Sequence, residues 1–521
     1  FKLNLPAKYM MKITNKNVAL IPVFAGIFFA ADDQTVVVTI LPQIMSDLMV
    51  DVTELDRAMW TVTGYLLGYV SVMPIMGRIS DIYGRKFIYV ASMSVFLLGS
   101  VGTGLTNSMG FLESYSYHDS ILIRSCVSSI LETTTSINWV IATRIIQAIG
   151  AGALIPITIA IISDFYSGNK RAIPLGLTGA SAEAGAVTGP LWGGLITQFF
   201  SWQWVFWLNI PIGLLVIAGI LFLVPNSKKT THKIDYLGSS IIVAAICFIT
   251  LGCSQSGSNT SFLVIFISVG VSLLIGYYLL AKQNDDSVVP IQLFKNIQFL
   301  AANTLHLFYG AALIISLVTI PLMVNTVLSG SSLEGGLILM RMTIAIPIGA
   351  LIGGWLSKHY DLRIPAISGL ILCFVALLFM SRWNELIRDP LMSYHLLAAG
   401  FGFGLMIAPI TTSAINSSDT KHQGSAAGII SSSRFLGMTF GIAALSAWGS
   451  QRFQDLLLSI DLKITGTGVL GPPPSGFESQ LIGAGINLFH DFFMIGSVLC
   501  LIGIFPCLLL VKPRKAKDPM G

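Results

Sequence analysis

The sequence predicts an all-α, polytopic membrane protein with fourteen spans, and three observations lead there. Apolar residues make up 54% of 521 residues, charged residues only 11%, and mean hydropathy is +0.78; a soluble domain carries roughly 25% charged residues. Apolar runs long enough to cross a ~30 Å hydrocarbon core recur along the whole chain. In the middle of the first run two aspartates, Asp32 and Asp33, stand side by side. An ionisable group at that depth costs at least ~2.5 kcal/mol on insertion scales and is rarely kept without a task.

Taken in order, the spans are expected at 18–42, 58–79, 87–107, 138–162, 174–199, 204–224, 235–255, 261–281, 299–323, 333–356, 364–383, 392–415, 424–448 and 487–511. The first follows a lysine-bearing segment (Lys2, Lys8, Lys12, Lys16) with no small-residue cleavage site, so it reads as a retained span. An even count puts both termini on one side. Lys and Arg number 21 in the tails and the loops of that side, against six in the opposite loops. The positive-inside rule therefore predicts cytoplasmic termini in a multi-pass protein of the plasma or inner membrane. The net charge of +5 follows from this topology and is no sign of nucleic-acid binding. Two outward stretches, 108–137 and 449–486, read as long surface loops, the second carrying Gly471 to Pro474.

Six cysteines, five in apolar runs and Cys126 in a loop, form no C-x-x-C or His/Cys cluster and read as small hydrophobes, with no metal. H-E-x-x-H, G-x-S-x-G and phosphate-binding loops are missing from the sequence, as is a nucleotide-binding cassette, so neither an enzyme nor direct use of ATP is expected. No organic cofactor and no obligate protein partner is indicated.

The loop after the second span, GRISDIYGRK (Gly77 to Lys86), is echoed after the tenth by GWLSKHYDLR (Gly354 to Arg363). The echo fits two six-span halves separated by two inserted spans, an internal repeat of the kind found in secondary transporters. The predicted organisation is an N-tail at 1–17, a six-helix bundle at 18–225, a linker with two inserted helices at 226–298, a second six-helix bundle at 299–511 and a C-tail at 512–521.

With these motifs the sequence resembles the major facilitator superfamily, in particular its fourteen-span drug:proton antiporter branch. GRISDIYGRK matches the cytoplasmic signature G-x-L-a-D-r-x-G-r-[KR]. DQTVVVTILP (Asp33 to Pro42) resembles D-x-T-I-V-N-x-A-L-P, with Val38 where Asn is usual. RIIQAIGAGALIP (Arg144 to Pro156) resembles R-x-x-Q-G-x-G, with Ala148 for a glycine. GAVTGPLWGG (Gly185 to Gly194) matches the fifth-span signature of exporters, and WQWVFWLNIPIG (Trp202 to Gly213) carries Gln203 in place of Arg. The resemblance implies the major facilitator fold and proton-driven export of amphiphilic or cationic drug-like compounds. The alternatives are a dedicated exporter of one metabolite or lipid-like molecule, and a transport-dead receptor or scaffold. Expected partners are a small-molecule substrate, protons and the bilayer, with the proton gradient as energy source.

Physical chemistry gives each motif an expected role. Gly77, Asp81, Gly84, Arg85 and Lys86 form a tight charged turn that either latches neighbouring helices as a gate or only anchors topology. Gly185, Gly189 and Gly193, with Gly194 and Pro190 nearby, make a small-residue stripe for close helix approach, static or flexing. Asp33 is the expected proton-coupling residue, unless Arg144 fixes it in a structural ion pair; Asp32 and Glu183 are the other candidates. Arg144 and Gln147 share a helical face, and Arg144 would tune the pKa of Asp33. Arg341 and Arg434 have no intramembrane acid in the second half and would meet carbonyls, water or an anionic substrate group. Trp202, Trp204 and Trp207 are expected in an interfacial belt.

Overall fold

A computed structural model describes residues 16–50, 55–107, 136–226, 235–254, 260–282, 287, 289–329, 332–419, 422–458 and 477–510. The tails, most of the stretch 108–137 with Cys126, and the Gly471 to Pro474 segment lie outside the described residues.

Backbone polar groups have no water partner in hydrocarbon, so an apolar chain of this composition must satisfy them within helices. The described helices of eighteen residues or more are α1 (Lys16–Asp47), α2 (Leu55–Tyr83), α3 (Arg85–Gly104), α4 (Ile137–Phe165), α5 (Ala172–Phe199), α6 (Gln203–Leu223), α7 (Tyr236–Ser254), α8 (Thr260–Ala281), α9 (Ile297–Thr326), α10 (Ser332–His359), α11 (Arg363–Met380), α12 (Leu391–Asn416), α13 (Gln423–Leu458) and α14 (Phe477–Leu508). Each expected span falls on one of these helices, in order. By length and apolarity, 11 of the described helices can cross a membrane. The other three are α5, α7 and α13. Glycine, Ser, Thr and Glu183 dilute α5, and Ser431 to Arg434 interrupt α13.

Helix boundaries follow local chemistry. The Ser136 hydroxyl accepts from Asn138 N at 3.1 Å and starts α4; the Asn296 side chain accepts from Gln298 N at 3.0 Å and starts α9. Between α2 and α3 the chain turns on Gly84, whose φ of 100° is open to glycine and strained for other residues. The stretch 449–486 departs from expectation. It is helical at both ends, because α13 runs on to Leu458 and α14 begins at Phe477. The sequence QRFQDLLL after Ser450 has no glycine or proline to stop α13. Arg452 Nε donates to Asp491 at 2.9 Å and ties the two extended ends together.

Helix pairing repeats. In the first six helices α1 packs on α4, α5 and α6, α2 on α4, and α3 on α4 and α6. In the last six, α9 packs on α12, α13 and α14, α10 on α12, and α11 on α12 and α14, the same pairs shifted by eight. The inserted α7 and α8 pack on each other, with α7 also against α2 and α13. Two seams join the halves, α2 with α13 and α5 with α10.

Both seams are shut at the end where α1 begins and α14 ends. A Cβ on Gly77 would overlap the Gly424 carbonyl, and one on Gly428 would reach Met73 O and Pro74. On the other seam a Cβ on Gly176 would meet Ala350 O and Gly354 Cα. Small residues let the backbones touch, which is how helices gain van der Waals contact in lipid.

Candidate functional site

Asp33 is buried in the core of the first half, with 1% of its surface exposed. One carboxylate oxygen accepts from Arg144 at 2.5 Å, and the other accepts from Gln147 at 2.9 Å and from Asn209 at 2.8 Å. Arg144 also donates to the Asp33 carbonyl (3.1 Å) and to Gln147 Oε1 (2.7 Å), and its guanidinium lies 4.2 Å from the centre of the Tyr65 ring. Gln147 Nε2 continues the network to Ser100 at 2.6 Å. The i, i+3 spacing of Arg144 and Gln147 thus delivers both to one carboxylate, and α1, α3, α4 and α6 meet there. Asn209, which the sequence reading left as part of a motif without a role, is a direct partner. Its signal was a lone amide in the span VFWLNIPIG.

Asp32 points elsewhere, as the ~100° step between adjacent helix residues requires. The Thr188 hydroxyl donates to its Oδ1 at 2.9 Å from α5. The glycine stripe of α5 faces the same stretch of α1: a Cβ on Gly185 would meet Phe28 O, one on Gly189 the Asp32 carbonyl, and one on Gly193 the Val36 side chain. The stripe is therefore a contact within the first half that brings α5 against the backbone of the two aspartates. Gly194 stands off it, its nearest neighbour being Thr39 Cγ2 at 3.9 Å. Pro190 lies within α5, next to the stripe.

Glu183 and Arg434 form an ion pair between α5 and α13, hence between halves. The acid that pairs with Arg434 comes from the other half, so the expected contact with carbonyls, water or an anionic group gives way to Glu183. Its guanidinium also lies 5.3 Å from the Tyr309 ring and 5.8 Å from that of Phe435, and Phe435 in turn packs on Tyr69. Beside it lies a cavity of about 40 Å³ lined from both halves by Ile155, Leu175, Ala182, Ile407, Ile430 and Arg434, among others. That is room for about one water.

Arg341 does not join this centre. It sits near the start of α10, its side chain 34% exposed, and donates to Asp389 at 2.6 Å and to Ser393 at 2.7 Å. The span that contains it begins close to the surface, so its partner comes from the α11–α12 connection. Trp202 is not a belt residue either; it is buried and donates to Asp47 Oδ2 at 2.8 Å, whereas Trp204 is exposed.

The charged turn after α2 builds a cluster at the shut end of the molecule. Arg85 donates to Asp81 at 3.2 Å, pairs with Asp164 of α4 at 2.5 Å and reaches the Ala160 carbonyl. Asp81 Oδ2 stands where a Cβ on Gly424 would go, so its charge faces the first turn of α13 across the seam, where the helix dipole favours an anion. Lys86 turns away and donates to the Leu221 carbonyl at the end of α6. Arg171, in the turn before α5, is buried; burial and the neighbouring Arg85 pull its guanidinium down to about 10, still charged at neutral pH.

Comparisons with known proteins agree with this geometry. A family model described as Major Facilitator Superfamily matches residues 23–442. The chain is 30% identical to a triacylglyceride transporter of Mycolicibacterium smegmatis, covering 95% of this chain and 88% of that one. It is 30% identical to a probable triacylglyceride transporter of Mycobacterium leprae (95% and 96%), and 29% identical to the triacylglyceride transporter of Mycobacterium tuberculosis H37Rv (95% and 94%). Among solved structures, the human organic anion transporter MFSD10 (TETRAN) aligns with a TM-score of 0.60 at 13% identity, covering 94% of this chain and 99% of that one. The proton:xylose symporter XylE aligns with a TM-score of 0.59 at 13% identity, covering 94% of each. At that identity the structural matches establish the fold alone.

Proposed function

Because the chain belongs to the Major Facilitator Superfamily, we propose that it is a proton-coupled exporter of a strongly apolar, lipid-like molecule of the triacylglyceride class, working by alternating access. In this reading the protein spans the membrane fourteen times with both termini in the cytoplasm. Two six-helix bundles rock about the central cavity, with α7 and α8 as the inserted pair. The names of the curated relatives support the cargo. At the centre Asp33 is matched by Arg144 and Glu183 by Arg434, while Asp32 is held by the Thr188 hydroxyl.

The observation that carries the reading is the Glu183–Arg434 pair, which joins α5 of one half to α13 of the other. While Glu183 is ionised, the pair holds α5 to α13. A proton on Glu183 replaces the ion pair with a weaker hydrogen bond from the Arg434 cation to a neutral carboxylic acid, and the halves can part. Proton uptake from one side and release to the other would then drive the rocking. Asp33 serves as the fixed anchor of the first half, and Asp32, held by Thr188, lies between anchor and switch.

The test is transfer of a fluorescent triacylglyceride between leaflets or to acceptor vesicles from proteoliposomes, with and without an imposed pH gradient. Gradient-dependent transfer, lost in Glu183→Gln while cargo binding persists, is the expected result. Transport of a panel of hydrophilic cations with no movement of the neutral lipid would sink the reading.

A further inference from the structure

A second cavity, of about 570 Å³, opens at the end of the molecule where α1 begins. Its floor is apolar, made by Leu20 and Phe24 of α1 and Ile173, Pro174 and Leu177 of α5. Its rim is cationic: Lys170 comes from the turn before α5 and Lys358 from the last turn of α10. Both lysines are exposed, and among the described residues no carboxylate lines the cavity and neither lysine has an ion-pair partner. Tyr166 completes the rim and is held in place, its hydroxyl donating to Asn17 at 2.6 Å and its ring lying 5.8 Å from Lys16 Nζ. Alongside, Trp355 stacks near His359 and Tyr360 at the end of α10, with Trp355 and Tyr360 about half exposed. Such an aromatic group marks the depth of the membrane–water interface.

We propose that this cavity binds one anionic phospholipid of the leaflet facing the termini, its phosphate between Lys170 and Lys358 and the start of an acyl chain along the Leu20–Phe24–Leu177 floor. Charge complementarity selects the headgroup, and the apolar floor continuous with lipid-facing surface selects a lipid over a soluble anion. The two lysines belong to different halves and flank the α5–α10 seam where Gly176 meets Gly354. A phosphate held by both is therefore a clamp across the seam. It favours the state shut at this end, because parting the halves separates its two ligands. The site is independent of the cargo and of the central ion pair.

The experiment uses the full chain in nanodiscs of phosphatidylcholine with increasing phosphatidylglycerol, read by native mass spectrometry for bound lipid. A spin-label distance between Ser167→Cys and Tyr360→Cys reports on the seam. Phosphatidylglycerol should be retained in preference to phosphatidylcholine and should enrich the short-distance population. Lys170→Glu and Lys358→Glu should each weaken retention about fivefold, following the usual value of a basic residue at an anionic surface. Lys282→Glu, at the end of α8, should leave it unchanged. Soluble glycerol phosphate should not compete. Equal retention of both lipids, loss of retention in Lys282→Glu comparable to that in the rim variants, or competition by glycerol phosphate would each overturn the proposal. So would lipid binding that leaves the distance distribution unmoved, since the clamp would then be absent.

Discussion

Asp33–Arg144 and Glu183–Arg434 are chemically alike, a carboxylate and a guanidinium within a span, yet they sit in different mechanical places. The first is sealed, with side chains 1% and 0% exposed, and every partner of its carboxylate comes from its own half. The second is slightly open, at 14% and 11%, borders a cavity and joins the two halves. A proton arriving at the first would disturb a core; a proton arriving at the second would change which halves are held together. What separates an anchor from a switch is whether the helices that carry the two charges move relative to one another.

The sharpest way to break this contrast is Arg144→Leu. Removing one partner of a fully buried pair leaves Asp33 uncompensated, which costs about 3–5 kcal/mol. Thermal unfolding in detergent should show a large loss, partly recovered in Asp33→Asn/Arg144→Leu. A single variant as heat-stable as the parent would refute the anchor. Glu183→Gln should cost less, about 1.5–3 kcal/mol for a hydrogen bond to a charged group, since the amide can still accept from Arg434 and the cavity admits water. Its main effect should be on transport: lipid transfer ceases to respond to the pH gradient. If Asp33→Asn abolishes the gradient response with folding intact and Glu183→Gln does not, the switch and anchor are exchanged, as the sequence alone had suggested. Gly189→Leu comes next. A bulky side chain forced against the Asp32 carbonyl should cost about 1–3 kcal/mol. Because the stripe packs α5 on α1, both of one half, the damage should appear as lower stability at every pH and leave the remaining transport still gradient-driven.

Much of this was legible in the sequence. The long helices were, because lipid forces apolar, hydrogen-bonded helices and the pattern is long. So was Arg144 as the partner of Asp33, since a buried charge must be matched and Arg144 and Gln147 share a face. The partner of Arg434 was not. Residues 183 and 434 meet through the packing of two halves that share no local pattern, and counting acids half by half hid the match. Arg341 misled for the opposite reason: its run was apolar enough to look buried, but the helix begins near the surface and Asp389 waits in the α11–α12 connection. The ends of α13 and α14 within 449–486 were missed because polar residues there read as loop.

The smallest expected effect comes from this third pair, and it calibrates the other two. Arg341 and Asp389 are joined at 2.6 Å with side chains 34% and 50% exposed. The Ser393 hydroxyl and Arg341 hold the Asp389 carboxyl below its usual range. A carboxyl depressed in the folded state lends stability that is complete above the unfolded value of about 3.9 and is lost only as pH falls through the lower folded value. From pH 5 to 8, roughly a unit or more above that range, Asp389 should therefore contribute a constant amount, and an exposed pair of this kind is worth ~0–1 kcal/mol. Asp389→Asn should shift thermal stability little, less still at high salt, and leave the pH profile of transport unchanged. If it flattened that profile as Glu183→Gln is expected to do, the identity of the helices joined would no longer decide which pair senses protons, and the contrast between anchor and switch would fail.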